Sequence, residues 1–328
     1  MTEPEAPLPM HVLTGFLGSG KTTLLNALLT SPRFADAAVL INELGDIPID
    51  HLLVRDAREE LVVLASGCVC CTLRTDLVQQ LGSLLAQRSS GELPRFSRIV
   101  LETTGMADPV PIVQTLLKHP TLSDALFLDG IVCTVDGQLG LTTLETHAEA
   151  RKQVCIADRL LITKADLGTP AGLHELQQKL RGLNPEALQL RTTMGSVDTG
   201  FLLDIGHLDT RSIAASSLPD SHEHAGDEVQ RFSMVLDAPV DFRGFSLWVA
   251  MLTQLWGERI LRLKAVISAR DELNPIAIQA VQHVVYAPLD LPRKTNLNGK
   301  SYVVVLARGL SESERAELRA GLQALSQG

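Results

Sequence analysis

Residues 15–22 read Gly-Phe-Leu-Gly-Ser-Gly-Lys-Thr, preceded by the run His-Val-Leu-Thr and followed by Thr-Leu-Leu-Asn-Ala-Leu-Leu. A strand that turns through glycines directly into a helix is the arrangement of a phosphate-binding loop, and the match to Gly-x4-Gly-Lys-Thr occurs in that setting. Few sequence features restrict a fold so strongly, because such a loop needs a parallel sheet behind it. Gly15, Gly18, Ser19 and Gly20 let backbone N–H groups turn inward around phosphates. Lys21 reaches the β- and γ-phosphates, where its charge serves catalysis, and the Thr22 hydroxyl ligates Mg²⁺. Thr23 is expected to begin the helix, whose positive end faces the anion.

The rest of the first two thirds agrees. Strand-like runs (37–42, 61–66, 97–105, 130–136 and 158–166) alternate with amphipathic stretches, which implies βαβ units and a mostly parallel sheet covered on both faces. Residues 216–228, rich in Ser, Pro, Asp, His and Gly without an apolar period, read as a linker. Beyond it come strand patterns at 229–237, 259–268, 276–287 and 301–308 and two helical ones. The second helix carries the capping signature Ser311 with Glu314 three residues on. The expectation is an α/β phosphate-loop domain over 1–215 and a smaller α+β domain with an antiparallel sheet over 229–328.

Two further elements belong to a nucleotide site. The run Ile-Val-Leu-Glu-Thr-Thr-Gly carries Glu102 to the end of an apolar strand, with Gly105 after it. A carboxylate at that edge can hold Mg²⁺ and assist catalysis, and a glycine N–H can sense a γ-phosphate. Thr163, Lys164 and Asp166, in Thr-Lys-Ala-Asp, resemble the guanine-reading Asn-Lys-x-Asp element with Thr in place of Asn. One carboxylate can accept from both N1–H and the N2 amino group of guanine, a donor pair adenine lacks, so Asp166 selects GTP and Lys164 covers the base.

Three of the five cysteines, Cys68, Cys70 and Cys71, lie within four residues. Vicinal or near-vicinal disulfides would be strained, whereas thiolates can converge on one soft ion. The low, odd cysteine count fits a reducing cytoplasm. The acidic N-terminus has no signal-peptide pattern, and no run is long and apolar enough for a membrane helix. A net charge of −9 disfavours nucleic acid and anionic membranes as partners, leaving a small molecule or a protein.

Taken together, residues 15–23, 41–50, 67–73, 102–109 and 163–167 resemble the motifs of the CobW-like family of phosphate-loop GTPases, in that family's order. The resemblance implies a GTP-dependent metallochaperone or metal-insertion factor that passes zinc, or alternatively cobalt, to a client metalloprotein. Glu43 matches the family's Glu in the second motif and, with water as the alternative, would complete a site made by Cys68, Cys70 and Cys71. His222 and His224 in the linker could capture metal weakly, and the C-terminal domain, with its sheet edges and the Trp248 and Trp256 helix, is the candidate client surface. Two other readings stand beside this one: a GTP-regulated thiol redox or zinc-sensing module, and an NTP-dependent small-molecule kinase.

Overall fold

The computed structural model describes residues 7–34, 36–42, 63–65, 73–193, 196–202, 229–270, 272–286, 288–291 and 297–327. Two compact units divide the chain: Met1–Arg181 with Ala187–His207, and Gly182–Glu186 with Leu208–Gly328. The segment 216–228, read above as a linker, lies outside the described residues.

The first unit is an α/β layer structure. Its strands are β1 (Leu8–Gly15), β2 (Ala37–Asn42), β3 (Val63–Ala65), β4 (Arg98–Thr103), β5 (Leu126–Asp136), β6 (Arg159–Thr163) and β7 (Leu188–Arg191). Among the described residues they form a seven-stranded sheet in the order β3-β2-β4-β1-β5-β6-β7, parallel throughout. The connecting helices are α1 (Lys21–Leu29), α2 (Leu73–Ser90), α3 (Pro109–Lys118), α4 (Pro120–Ala125), α5 (Gly140–Thr146), α6 (Ala148–Ile156) and α7 (Pro170–Leu183). Central strands buried on both faces require near-continuous apolar sequence, and β5 has it. On one side, Leu24, Leu25, Leu28 and Leu29 of α1 pack on Leu13, Val100 and Val132. The strand order reverses about β1, which lies between β4 and β5, so the crevice beyond its C-terminal end is where a doubly wound sheet takes its ligand. Helix α1 begins at Lys21, two residues earlier than the sequence pattern implied, because Gly20 occupies the N-cap in a left-handed conformation.

The second unit is α+β. Strands β8 (Val229–Leu236), β9 (Ile260–Ile267), β10 (Ile276–Val281), β11 (Val284–Val285) and β13 (Ser301–Arg308) form an antiparallel sheet ordered β11-β10-β9-β13-β8, and β12 (Leu289–Asp290) pairs with β10. Helices α8 (Phe242–Trp256) and α9 (Glu312–Gln327) contribute Phe245, Val249, Leu252, Leu318 and Leu322 to its core. Residues 276–287 do not make one strand. They fold as a hairpin that turns at Gln282 (φ 51°) and His283, with Val281 opposite Val284. Ser311 and Glu314 cap α9 reciprocally: the Ser311 hydroxyl accepts from the Glu314 N–H at 3.3 Å, and the Glu314 carboxylate accepts from the Ser311 N–H at 2.7 Å.

Candidate functional site

At the crevice the phosphate loop is seated by hydroxyls from four strand ends. Thr103 of β4 donates to the Thr14 hydroxyl of β1 at 3.0 Å, and Thr134 of β5 donates to the Thr14 carbonyl at 3.3 Å. The Ser19 and Thr134 hydroxyls lie 2.6 Å apart, and Thr163 of β6 donates to the Ser19 carbonyl at 2.7 Å. All five side chains are buried, so each bond replaces solvation that the loop would otherwise lose. Gly15 is fixed by the same crowding, since a Cβ there would come within 2.2 Å of Thr134 Oγ1. Thr163, at the place of the Asn in the guanine-reading pattern that 163–166 resembles, therefore ties that turn to the phosphate loop by its hydroxyl.

Lys21 lies at the first position of α1, almost fully buried, and its ammonium donates to the Gly15 carbonyl at 2.9 Å and the Phe16 carbonyl at 3.2 Å. These bonds hold a positive charge beside the loop. Glu102, 3% exposed at the end of β4, accepts from the Thr22 hydroxyl at 3.2 Å. A hydroxyl and a carboxylate at this separation are hard oxygen donors, the chemistry Mg²⁺ prefers, so these residues fit the ion.

Lys164 adopts a left-handed backbone conformation, φ 51°. It donates to the Gly18 carbonyl at 2.7 Å and to Asp136 Oδ2 at 2.6 Å, so it straps the 163–166 turn across the phosphate loop. Burial alone would raise the Asp136 carboxyl; bonds from Lys164 and from the Leu139 and Gln138 N–H groups outweigh it and hold the group below its ordinary value. Asp166 lies on the same turn and is exposed.

Gly105 packs directly on the phosphate loop, and a Cβ there would lie 2.7 Å from the Leu17 backbone nitrogen. Gln153 of α6, fully buried, donates through Nε2 to the carbonyls of Gly105 at 3.1 Å and Ala107 at 3.0 Å. Its neighbour Lys152 pairs with Asp108 at 3.1 Å, and His147, just before α6, stacks on Phe16 of the loop with ring centroids 4.3 Å apart. Helix α6 thus grips both the phosphate loop and the Gly105 segment. Thr14, Thr103, Thr134, Asp136 and Gln153 are not singled out by sequence reasoning. The one available signal is the threonine near the end of each of β1, β4, β5 and β6.

Cys68, Cys70, Cys71, Glu43, His222 and His224 lie outside the described residues, and among the described residues no group of three metal-ligating side chains occurs. Cys133 and Cys155 are buried; burial pushes the Cys133 thiol up to about 12, against the opposing pull of Lys21, which makes it an inert packing group. His283, expected among apolar residues on a strand, is instead exposed at the hairpin turn, with its Nδ1 3.0 Å from the Thr253 carbonyl near the end of α8. Trp248 and Trp256 are half-buried against the second core, and the Trp256 indole donates to Glu314 at 3.2 Å.

The family comparison agrees with this geometry. Residues 9–191 match the CobW/HypB/UreG nucleotide-binding domain, and residues 229–326 match the cobalamin synthesis protein CobW C-terminal domain. The chain belongs to the CobW family. Among CobW relatives, it is 34% identical over 288 residues to the zinc chaperone YjiA of Escherichia coli, spanning 87% of this chain and 90% of that one. It is 35% identical over 199 residues to the zinc-regulated GTPase metalloprotein activator 1 of Schizosaccharomyces pombe, spanning 58% of this chain and 47% of that one. The crystal structure of Zn(II)-bound YjiA GTPase from E. coli superimposes with a TM-score of 0.70 at 26% identity, over 98% of this chain and 99% of that one.

Proposed function

We propose that this CobW protein is a GTPase that binds zinc at Cys68, Cys70 and Cys71, with Glu43 or water as the fourth ligand, and releases it to a client metalloprotein when GTP is cleaved. The observation that carries the reading is its similarity, across most of both chains, to a protein named a zinc chaperone, joined to the residues of a phosphate and guanine site. Lys21 and the loop N–H groups hold the phosphates and offset charge that develops on the transferring phosphoryl group. Thr22 and Glu102 hold magnesium, which when bound neutralises phosphate charge. Asp166 selects guanine, while Thr163 and Lys164 keep the base site in register with the loop. Gly105 reads the γ-phosphate, and Gln153 fixes the segment that carries it.

The zinc ligands follow the second strand and precede α2, so the γ-phosphate and the metal can favour one shared conformation of that region. By linkage each then tightens the other's binding, and loss of the γ-phosphate loosens the metal. Zinc, rather than cobalt, is the cargo this reading takes, in line with thiolate preference and with the relatives' names. The client approaches the C-terminal domain, where β8 stands at one edge of the sheet. A stopped-flow experiment tests the reading: protein loaded with zinc and Mg·GTP is mixed with a fluorescent zinc chelator during a single turnover. Zinc appearing at the rate of GTP cleavage is expected. Release independent of hydrolysis, or release that waits on thiol oxidation, contradicts it and favours the redox alternative.

A further inference from the structure

Helix α8 turns Phe245, Val249, Leu252 and Thr253 into the second unit's core. The outer face of such a helix is ordinarily polar. Here Leu247, Met251 and Leu255 stand 63%, 53% and 64% exposed. At i, i+4 and i+8 they form one continuous stripe, with exposed Ala250 beside it. The stripe ends in opposite charges, Arg243 toward its N-terminal end and Glu258 just past its C-terminal end. Both are exposed, and neither has an ion-pair partner among the described residues.

We propose that this face pairs with the same face of a second copy of the chain, antiparallel, about a two-fold axis passing at Met251. The spacing is self-complementary. Leu247 and Leu255 lie four residues to either side of Met251, so rotation about that point sets each leucine of one copy against the other leucine of its mate, and Met251 against its own equivalent. Arg243 lies eight residues before the axis and Glu258 seven after it, so the same rotation brings each arginine beside the opposing glutamate. A parallel pairing would set like charges together. Closed two-fold contact between identical patches is the commonest way a chain covers such a face. One helix face buries well below the roughly 800 Å² per partner of a stable interface, so the dimer forms reversibly at about micromolar or higher concentration. The exposed ion pairs set orientation more than strength.

Sedimentation equilibrium of the full chain with Mg·GDP in zinc-free buffer, from about 1 to 100 µM, spans that affinity range. The mass is expected to rise from monomer toward dimer, and Met251→Glu, which sets two carboxylates face to face at the axis, should abolish the rise. Arg243→Glu and Glu258→Arg should each weaken association by about tenfold, and the double reversal should restore it. All three positions are exposed, so circular dichroism melting should be unchanged and GTP hydrolysis retained. A monomer throughout the range overturns the proposal, as does a dimer that survives Met251→Glu. A double reversal that fails to restore pairing overturns the antiparallel arrangement. None of these outcomes bears on zinc release.

Discussion

In the nucleotide-binding unit, Thr14, Ser19, Lys21, Glu102, Thr134 and Thr163 are buried polar side chains gathered at the C-terminal ends of parallel strands, whereas the C-terminal unit fills its sheet-and-helix core with Phe232, Phe245, Val249, Val303 and Val305. Burying a polar group costs free energy unless a partner replaces water, so a region that buries several and joins them by hydrogen bonds has spent stability on geometry. The apolar part of the second core spends none and fixes only the fold, and the polar groups that unit buries, Thr253, Arg262, Gln279 and Ser301 among them, are not gathered at parallel strand ends. What the second unit offers a partner is on its outside, along α8 and at the sheet edge. The lesson is that ligand chemistry and structural support are separated along this chain, and substitutions should separate them too.

The largest expected effect breaks the support alone. Phe245→Ala empties a fully buried ring position and should cost about 3–5 kcal/mol of stability, read as a lower melting temperature, while the nucleotide affinity of the remaining folded protein holds. If nucleotide affinity falls in parallel, the separation is wrong. Next comes Asp166→Asn, which removes the carboxylate proposed to accept guanine's paired donors. GTP affinity should fall by roughly 1,000-fold, with xanthosine triphosphate regained because an amide N–H can donate to its C2 carbonyl. Melting should not change, since Asp166 is exposed.

Lys21→Ala should slow single-turnover GTP cleavage by about 100- to 1,000-fold, the range for loss of one charge stabiliser. The smallest effect is at Gln153→Leu, which leaves the Gly105 and Ala107 carbonyls without their amide donor. GTP cleavage should fall about tenfold while GDP affinity stays, because the segment it holds is the one proposed to read the γ-phosphate and an unpaired buried carbonyl costs about 1–3 kcal/mol. Equal losses for GTP cleavage and GDP binding would mean that α6 supports the whole loop rather than its γ-phosphate side.

Legibility in the sequence follows the same division. The phosphate loop is readable because only certain residue types can make it, and the parallel sheet because strands buried on both faces must be apolar along their length. The threonine seat and Gln153 are not readable, since they depend on which strand ends become neighbours and on where α6 settles. β7 escapes notice because it is a short, half-exposed edge strand with a weak apolar signal. The turn at Gln282 and His283 escapes because it lacks the Gly or Asn that ordinarily marks a left-handed position, so 276–287 reads as a single strand.

The central claim is that nucleotide state controls metal affinity. Its most direct test is equilibrium zinc affinity by chelator competition, measured with Mg and a non-hydrolysable GTP analogue, with Mg·GDP, and in Cys70→Ser. The account predicts that zinc binds at least tenfold more tightly with the GTP analogue than with GDP, a coupling of about 1.4 kcal/mol or more, and that the variant loses both the affinity and the difference. Equal affinity in the two nucleotide states, or tight nucleotide-gated binding that survives in the variant, would contradict it.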